Sequence, residues 1–202
     1  GEISTSTAQG FIYDDWGNQI EVTDYGQVTA NGVTGDFTDL GTDLLKTLVS
    51  VIGQTAYPFE TKTYDSENKL LAHQRQFYDY LPLGQVGKGQ VTAQESFLDT
   101  KNKWVRSETN HDDYGLPIST KNPRGFLSYI DYDTLHLYPR TLTNTKGHKT
   151  TRSYDVALGE AILTTDPNGM SLQTVYDGLG RPKEIRQNGA LLTSVAYSDD
   201  TM

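Results

Sequence analysis

One dipeptide, Tyr-Asp, recurs along this chain at a spacing that limits what the chain can fold into. It occurs six times in 202 residues, at 13–14, 64–65, 78–79, 132–133, 154–155 and 176–177. In the C-terminal half the tyrosines are 22 residues apart, from Tyr132 to Tyr154 to Tyr176, and Tyr197 follows 21 residues later. A fixed period of this length indicates a chain built from repeated supersecondary units.

Each period holds a second turn signal about ten residues after Tyr-Asp, or after His111-Asp112, which takes its place in one period. These signals are Asp24-Tyr25-Gly26, Asn122-Pro123-Arg124-Gly125, Asn144-Thr145-Lys146-Gly147 and Asp166-Pro167-Asn168-Gly169. The segments between turns are short, and residues 172–176 alternate apolar and polar side chains as a strand does. The pattern predicts an all-β fold, in which repeated antiparallel hairpins form a curved sheet.

The Tyr-Asp pair has a physical role in such a sheet. The tyrosine ends a strand, packs its ring on the neighbouring strand and keeps its hydroxyl available for a hydrogen bond. The aspartate begins the turn and caps backbone N–H groups in an Asx turn. The residues predicted to form this structural repeat signature are Tyr13, Asp14, Gly17, Tyr64, Asp65, Tyr78, Asp79, Tyr132, Asp133, Tyr154, Asp155, Gly159, Asp166, Gly169, Tyr176, Asp177, Gly180 and Arg181.

Residues 28–59 break the period. Leu40, Leu44 and Leu48 fall on one helical stripe, which predicts a short helix near 39–52 with Thr38 or Asp39 as its N-cap. The apolar run at 48–52 fits a buried strand as well, so both alternatives stay open. The chain is expected to be one continuous domain, with a first repeat at 1–27, an irregular insertion at 28–59 and a repeat array at 60–202.

Composition argues against several classes of function. The net charge is −9, and residues 1–100 carry the whole acidic excess, which disfavours binding to phosphate backbones. The chain has no cysteine, which excludes disulfides, a thiol nucleophile and Cys-ligated zinc. No apolar run approaches the roughly 18 residues of a membrane span, so we expect no membrane insertion by this segment.

A search for catalytic groups yields only weak candidates. His111 takes a tyrosine position of the repeat and is expected to pack there, while His73, His136 and His148 are expected to be exposed near turns. Acidic pairs could serve glycoside hydrolysis or bind Ca²⁺, but they recur with the repeat, as turn capping predicts. They are Asp14-Asp15, Asp112-Asp113, Asp131 with Asp133, and Asp199-Asp200. We therefore expect a protein that is not an enzyme, with no catalytic residue, metal or cofactor.

Two stretches carry a family resemblance. Residues 176–181, Tyr-Asp-Gly-Leu-Gly-Arg, closely resemble the signature of YD repeats of the RHS type, and residues 13–18 resemble its Gly-Asn version. Residues 150–189 resemble one complete RHS repeat with both turns. More loosely, residues 77–89 resemble the central region of insecticidal toxin-complex B components and related virulence-plasmid proteins.

The resemblance implies a structural function. In that family the repeats form a long β-sheet that spirals into a hollow shell around a toxic polypeptide. It implies a secreted or extracellular scaffold whose partners are other parts of one large chain, or another shell component, and the enclosed toxin. About five repeat units and a first residue other than Met predict a fragment of a larger protein, one that could dimerise through open sheet edges. The alternative is an extracellular carbohydrate- or cell-surface-binding module that uses Trp16, Trp104 and Phe126.

Overall fold

Nearly all regular structure in this protein is antiparallel β-strand. The computed structural model describes residues 6–28, 30–31, 36–37 and 44–198. The chain divides into two compact units, unit 1 from Gly1 to Thr109 and unit 2 from Asn110 to Met202. Within the described ranges the one helical element is a short 3-10 turn at Asp99–Lys101. The predicted all-β class of antiparallel hairpins is confirmed.

In unit 1 each strand pairs antiparallel with its neighbour in the order β1-β2-β5-β6-β7-β8-β9. The strands are β1 (Ser6–Tyr13), β2 (Gln19–Val28), β5 (Leu45–Val51), β6 (Pro58–Tyr64), β7 (Leu70–Tyr78), β8 (Val91–Leu98) and β9 (Lys103–His111). A separate two-stranded ribbon is formed by β3 (Ala30–Asn31) and β4 (Asp36–Phe37). Strand β9 crosses the boundary between the units and ends in unit 2.

In unit 2 the strands follow one another in chain order from β10 to β17, and each hairpin is antiparallel. They are β10 (Pro117–Lys121), β11 (Leu127–Tyr132), β12 (Pro139–Thr143), β13 (Lys149–Asp155), β14 (Glu160–Thr165), β15 (Ser171–Tyr176), β16 (Pro182–Gln187) and β17 (Ala190–Ser194).

For residues 39–52 the sequence allowed either a helix or a strand, and the described part of this segment is a strand. Residues Leu45–Val51 form β5, which pairs with β2 on one side and with β6 on the other. The predicted helix is therefore wrong for this part, because two backbone ladders satisfy the amides that a helix would have bonded internally. The segment lies within the sheet of unit 1 and is not a layer packed on it. The predicted cap at Thr38 or Asp39 falls outside the described residues.

Threonines lie opposite one another across neighbouring strands in both units. In unit 2, Thr151 lies opposite Thr141 on one side and Thr165 on the other. In unit 1 the hydroxyls of Thr47 and Thr63 are 3.0 Å apart across β5 and β6. Branched Thr side chains suit the pleated surface, and cross-strand Thr pairs add to its stability.

Each Tyr-Asp tyrosine sits at a break in strand register. Val175 lies opposite Glu184, but Tyr176 lies opposite Pro182, so one residue of the partner strand bulges out. The same shift occurs at the other five such tyrosines, Tyr13, Tyr64, Tyr78, Tyr132 and Tyr154. A bulge increases local twist and bends the strand, so every Tyr-Asp pair marks a point where the sheet is bent.

Neither unit encloses a conventional core. Among the described residues of unit 1, only Val28, Tyr78, Thr92 and Ala93 are buried. In unit 2 only Ser119 is buried. A sheet normally buries one face against a second layer of structure, but few described side chains of either unit are buried in this way. Stability therefore depends on strand pairing and on contacts between neighbouring turns.

Candidate functional site

The turns that follow the Tyr-Asp pairs form one repeated hydrogen-bonded structure. In the turn at 177–181, Oδ1 of Asp177 accepts the N–H of Leu179 and the N–H of Arg181, each at 2.9 Å. The N–H of Gly180 donates to the carbonyl oxygen of Asp177 at 3.0 Å, and Gly180 has a φ of 77°. One carboxylate therefore satisfies the amides that a five-residue reversal leaves without ladder partners.

The same structure recurs with either Asp or Asn in the first position. The carboxamide oxygen of Asn144 accepts the N–H of Lys146 at 2.9 Å and the N–H of His148 at 3.0 Å. Equivalent bonds are made by Asp14, Asp65, Asp112, Asn122 and Asp166. The turn thus needs an acceptor oxygen but no charge.

Three Tyr-Asp turns are variants of this structure. The turn at Asp133 is one residue longer, and its carboxylate accepts the N–H groups of Leu137 and Tyr138. The turn at Asp155 closes through the N–H of Gly159, at 2.8 Å from the Asp155 carbonyl oxygen. At Asp79 the connection is a long loop, and the carboxylate accepts the N–H groups of Gly87, Gly89 and Gln90.

The hydrogen bonds of the turn lower the pKa of the carboxyl at Asp177 and at Asp79. For Asp177, the N–H of Arg181 is the main cause that lowers the pKa, and this outweighs the opposing effect of burial. For Asp79, burial raises the pKa, but the loop amides of Gly89 and Gly87 outweigh it and the net shift is downward. A carboxylate with a lowered pKa is a good acceptor for the backbone N–H groups of a turn and is therefore suited to capping it.

Two tyrosine hydroxyls of unit 2 join one turn to the next. The hydroxyl of Tyr132 donates to the carbonyl oxygen of Pro117 at 3.2 Å, and that of Tyr197 donates to the carbonyl oxygen of Pro182 at 2.8 Å. Each of these prolines is the first residue of a strand, Pro117 of β10 and Pro182 of β16, directly after a turn. The tyrosine of one repeat is therefore tied to the backbone that leaves the preceding repeat. Sequence reasoning missed the prolines as acceptors, although each lies 15 residues before its tyrosine.

In unit 2 the turns at 112–116, 133–138, 155–159 and 177–181 lie at the same end of the strands and are here called the Tyr-Asp rim. Neighbouring turns of the rim contact each other. The rings of Tyr138 and Tyr154 stack at 4.7 Å, and the guanidinium of Arg181 lies 4.2 Å above the ring of Tyr197. A Cβ added at Gly180 would lie 3.2 Å from Leu158 Cδ2. The rim is thus a chain of nearest-neighbour contacts, as expected for a repeat array.

One Tyr-Asp pair does not share the position of the others in unit 1. Successive antiparallel connections alternate between the two ends of the strands. The turns after Tyr13-Asp14 and Tyr78-Asp79 therefore lie at one end, and the turn after Tyr64-Asp65 lies at the opposite end. Tyr64-Asp65 has the local turn structure but lies at the opposite end of the strands from the other two Tyr-Asp turns of unit 1.

Unit 1 also contains a cluster of charges that the sequence did not reveal. The carboxylate of Glu60 accepts hydrogen bonds from Lys62 at 2.8 Å and Arg75 at 3.2 Å, and it lies 2.7 Å from His73 Nε2. Burial raises the pKa of Glu60, but these partners outweigh it and lower the pKa to about 2. The prediction that His73 is exposed is wrong, since its side chain is 12% exposed. In the strand register Glu60 lies opposite Arg75, and Lys62, two residues further along the same strand, lies opposite His73. This pairing brings both Arg75 and His73 next to Glu60.

The remaining candidate residues do not converge on a catalytic site. Among the described residues no group of three or more His, Asp or Glu side chains is placed to hold a metal ion. Trp104 is covered by Arg75, whose guanidinium lies 4.1 Å from the ring. Trp16 and Phe126 are exposed at turns, 61% and 54% respectively. Asp199 and Asp200 fall outside the described residues.

In the described part of the chain, no helix has the length and apolarity of a membrane span.

Comparison with known proteins gives a result for the fold. No family model and no curated protein sequence matches the chain. Among solved structures, TcdB2-TccC3-Cdc42 matches 96% of this chain with a TM-score of 0.62 and 14% sequence identity. TcdB2-TccC3-TEV matches 93% of this chain with a TM-score of 0.65 and 14% identity. The chain spans 14% of the length of either matched chain. This protein therefore has the fold of a segment of the RHS-containing TcdB2-TccC3 toxin-complex chains, and the predicted likeness to toxin-complex RHS repeats is confirmed at the level of the fold.

Proposed function

We propose that this chain is a non-catalytic structural scaffold, one strip of an RHS-type repeat shell that encloses or presents a toxin or effector polypeptide. The observation that carries the proposal is a repeat sheet with almost no buried residues in either unit, in the fold of TcdB2-TccC3. Such a sheet gains stability from its neighbours along the strand order and leaves both faces available. A wall with an inner and an outer surface has this arrangement.

The partners follow from the same reasoning. We infer that the chain associates with further repeats, in its own parent chain or in another shell component, and that the enclosed polypeptide contacts one face of the sheet. A shell of this type acts outside the cell that makes it, so the proposed location is extracellular. Within the chain we retain the proposed division into a first repeat at 1–27, an insertion at 28–59 and an array at 60–202. The signature residues are proposed to be structural, because their polar groups are used within the turns.

The proposal is tested on the natural full-length product. An antibody raised against the 202-residue chain should detect a band many times larger than 22.5 kDa. Electron microscopy of the purified product should show a hollow particle, and limited proteolysis should leave an internal polypeptide intact until the particle is opened with denaturant. A free-standing product near 22.5 kDa, or a full-length product that contains no protected polypeptide, would overturn the proposal.

A further inference from the structure

His136 occupies a backbone conformation that glycine holds at the corresponding position of other turns in unit 2. Its φ is 55°, whereas the corresponding turn positions are Gly115, Gly125, Gly147, Gly169 and Gly180. A non-glycine residue in this left-handed region costs about 1–3 kcal/mol, and such residues concentrate at sites of binding and catalysis. The imidazole at this position therefore calls for an explanation beyond turn formation.

The side chain of His136 reaches the preceding turn of the Tyr-Asp rim. Its ring lies 4.2 Å from the ring of Tyr114, and its Nδ1 lies 3.3 Å from Oδ2 of Asp112. Oδ1 of Asp112 is already used, because it accepts the N–H groups of Tyr114 and Leu116. The remaining oxygen, Oδ2, faces His136 across a long contact and retains acceptor capacity.

An open pocket of about 420 Å³ lies beside this pair. Its lining includes Asp112, Ile118, Ile130, Tyr132 and His136. Ser119 lies opposite Tyr129 in the strand register, so the isoleucines on either side of this pair share the other face of the sheet. The pocket thus combines an apolar floor with a carboxylate and an imidazole at its margin. Its volume is within the range of about 300–1,000 Å³ that is common for small-molecule sites.

The charges around the pocket favour a cation. Asp112 supplies the carboxylate at its margin, Asp131 lines it from the strand while its side chain alternates to the face opposite Ile130, and no Lys or Arg is among its lining residues. Burial raises the pKa of Asp112, but bonds from Leu116, Tyr114 and His136 outweigh it and the net shift is downward. The carboxylate is therefore ionised at neutral pH, and its side chain is only 17% exposed. A partly desolvated carboxylate beside an aromatic ring attracts an ammonium group more strongly than a neutral donor.

We propose that this pocket binds a small alkyl or aryl-alkyl amine. The apolar body of the ligand lies on Ile118 and Ile130, and its ammonium group donates to Oδ2 of Asp112. His136 holds the carboxylate in place and forms the margin that the ligand passes. The inference does not depend on the shell proposal, because it concerns residues of unit 2 alone.

The test is a titration of amine ligands into the 202-residue chain, monitored by the NMR signals of the isoleucine methyl groups and the histidine rings. Tyramine is the free amine probe, and tyrosol is its matched neutral analogue. Nα-acetyl-lysine N-methylamide tests whether a lysine side chain of a polypeptide is accepted as well. Tyramine should shift the Ile118, Ile130 and His136 signals with saturation, and tyrosol should bind at least fivefold more weakly.

Two substitutions assign the binding to the carboxylate. Asp112→Asn keeps the capping oxygen, since Asn122 and Asn144 form the same turn, and it should weaken tyramine binding at least tenfold. Asp166→Asn removes one charge from an equivalent turn whose aspartate does not line the pocket, and it should leave the affinity unchanged. Ile118→Phe narrows the pocket without altering a cap and should also weaken binding.

Two results would contradict the proposed site. Absence of saturable shifts at Ile118, Ile130 and His136 would overturn the proposal, as would equal tyramine affinity in the Asp112→Asn and Asp166→Asn proteins. Amide dispersion and the thermal midpoint of each variant confirm that it is folded. If Asp112→Asn does not fold, unchanged tyramine binding by Ile118→Phe would still refute the proposed site.

Discussion

The hydroxyl of Tyr78 donates a hydrogen bond to the carbonyl oxygen of Pro58 at 2.8 Å, and the residue is only 2% exposed. The ring is also in edge contact with Tyr57 at 5.3 Å. Burial raises the pKa of Tyr78, the expected direction for a phenol removed from water. The most enclosed side chain of the described structure is thus a Tyr-Asp tyrosine that joins two strands.

We expect Tyr78→Phe to destabilise the chain by about 1–2 kcal/mol, because it leaves a partly buried carbonyl oxygen without its donor. The free energy of unfolding in urea measures the change. Tyr114→Phe is the control, since Tyr114 is 73% exposed and should change stability by less than about 0.5 kcal/mol. Equal effects of the two substitutions would contradict the assigned hydrogen bond.

The turn cap is tested at Asn144, which carries no charge. Asn144→Ala removes the acceptor for two N–H groups and should cost about 1–2 kcal/mol. Asn144→Asp keeps the acceptor, as the equivalent turn at Asp166 does, and should change stability far less. Thermal unfolding of the three proteins at neutral pH gives the comparison. A cap that depended on the carboxamide N–H₂ would make the two variants equally unstable.

Two glycines of the turn at 177–181 form a matched pair. Gly180 has a φ of 77°, and an added Cβ would lie 3.2 Å from Leu158, so Gly180→Ala should cost about 1–3 kcal/mol. Nothing lies within 4 Å of a Cβ added at Gly178. Gly178→Ala should therefore be neutral or stabilise by up to about 1 kcal/mol, by restricting the unfolded chain. Chemical denaturation of both variants checks the expected order.

Stability should fall in acid because of Glu60. Its pKa is lowered from 4.5 to about 2 in the folded chain. A carboxyl with a lowered folded pKa stabilises the fold fully above the unfolded value of 4.5, and this stabilisation is lost as pH falls from 4.5 towards 2. The loss should be on the order of 2–3 kcal/mol.

The variant Glu60→Gln isolates this contribution. It should be less stable than the original chain at pH 7 and should approach it at pH 2.5. Urea unfolding at several pH values gives the two curves. Parallel curves for the two proteins across this window would show that Glu60 does not carry the expected pH dependence.

Much of the fold follows from local chemistry that is visible in the sequence. The turns at Asn122, Asn144 and Asp166 are where the sequence predicts them, because an Asx residue followed three positions later by glycine defines the reversal within five residues. Asp24-Tyr25-Gly26 shows the limit of this reasoning. It was predicted to be a turn but lies inside β2, where Gly26 supplies the positive φ of a bulge.

Features that depend on pairing between distant segments were not predictable. The strand at Leu45–Val51 has apolar residues compatible with a helix, and its ladders with β2 and β6 decide the outcome. The cluster at Glu60 requires a register that places Arg75 and His73 beside it. The pocket next to His136 requires two turns, 21 residues apart, to lie side by side. A pattern read along one strand carries none of this information.

Successive connections alternate between the two ends of the strands, so the number of strands added or removed, even or odd, decides at which end the later turns lie. Between the turns at Asp14 and Asp65 the chain runs through three strands of the sheet of unit 1, β2, β5 and β6, and an odd number moves a turn to the opposite end of the strands. Recombination or engineering that adds or removes strands in pairs would keep every later Tyr-Asp turn in line with its neighbours. A single-strand change would send all later turns to the other end of the strands and would break a tyrosine–proline contact that spans the change, such as the one from Tyr132 to Pro117. Hairpins, not strands, are therefore the units in which such a chain can be lengthened or exchanged.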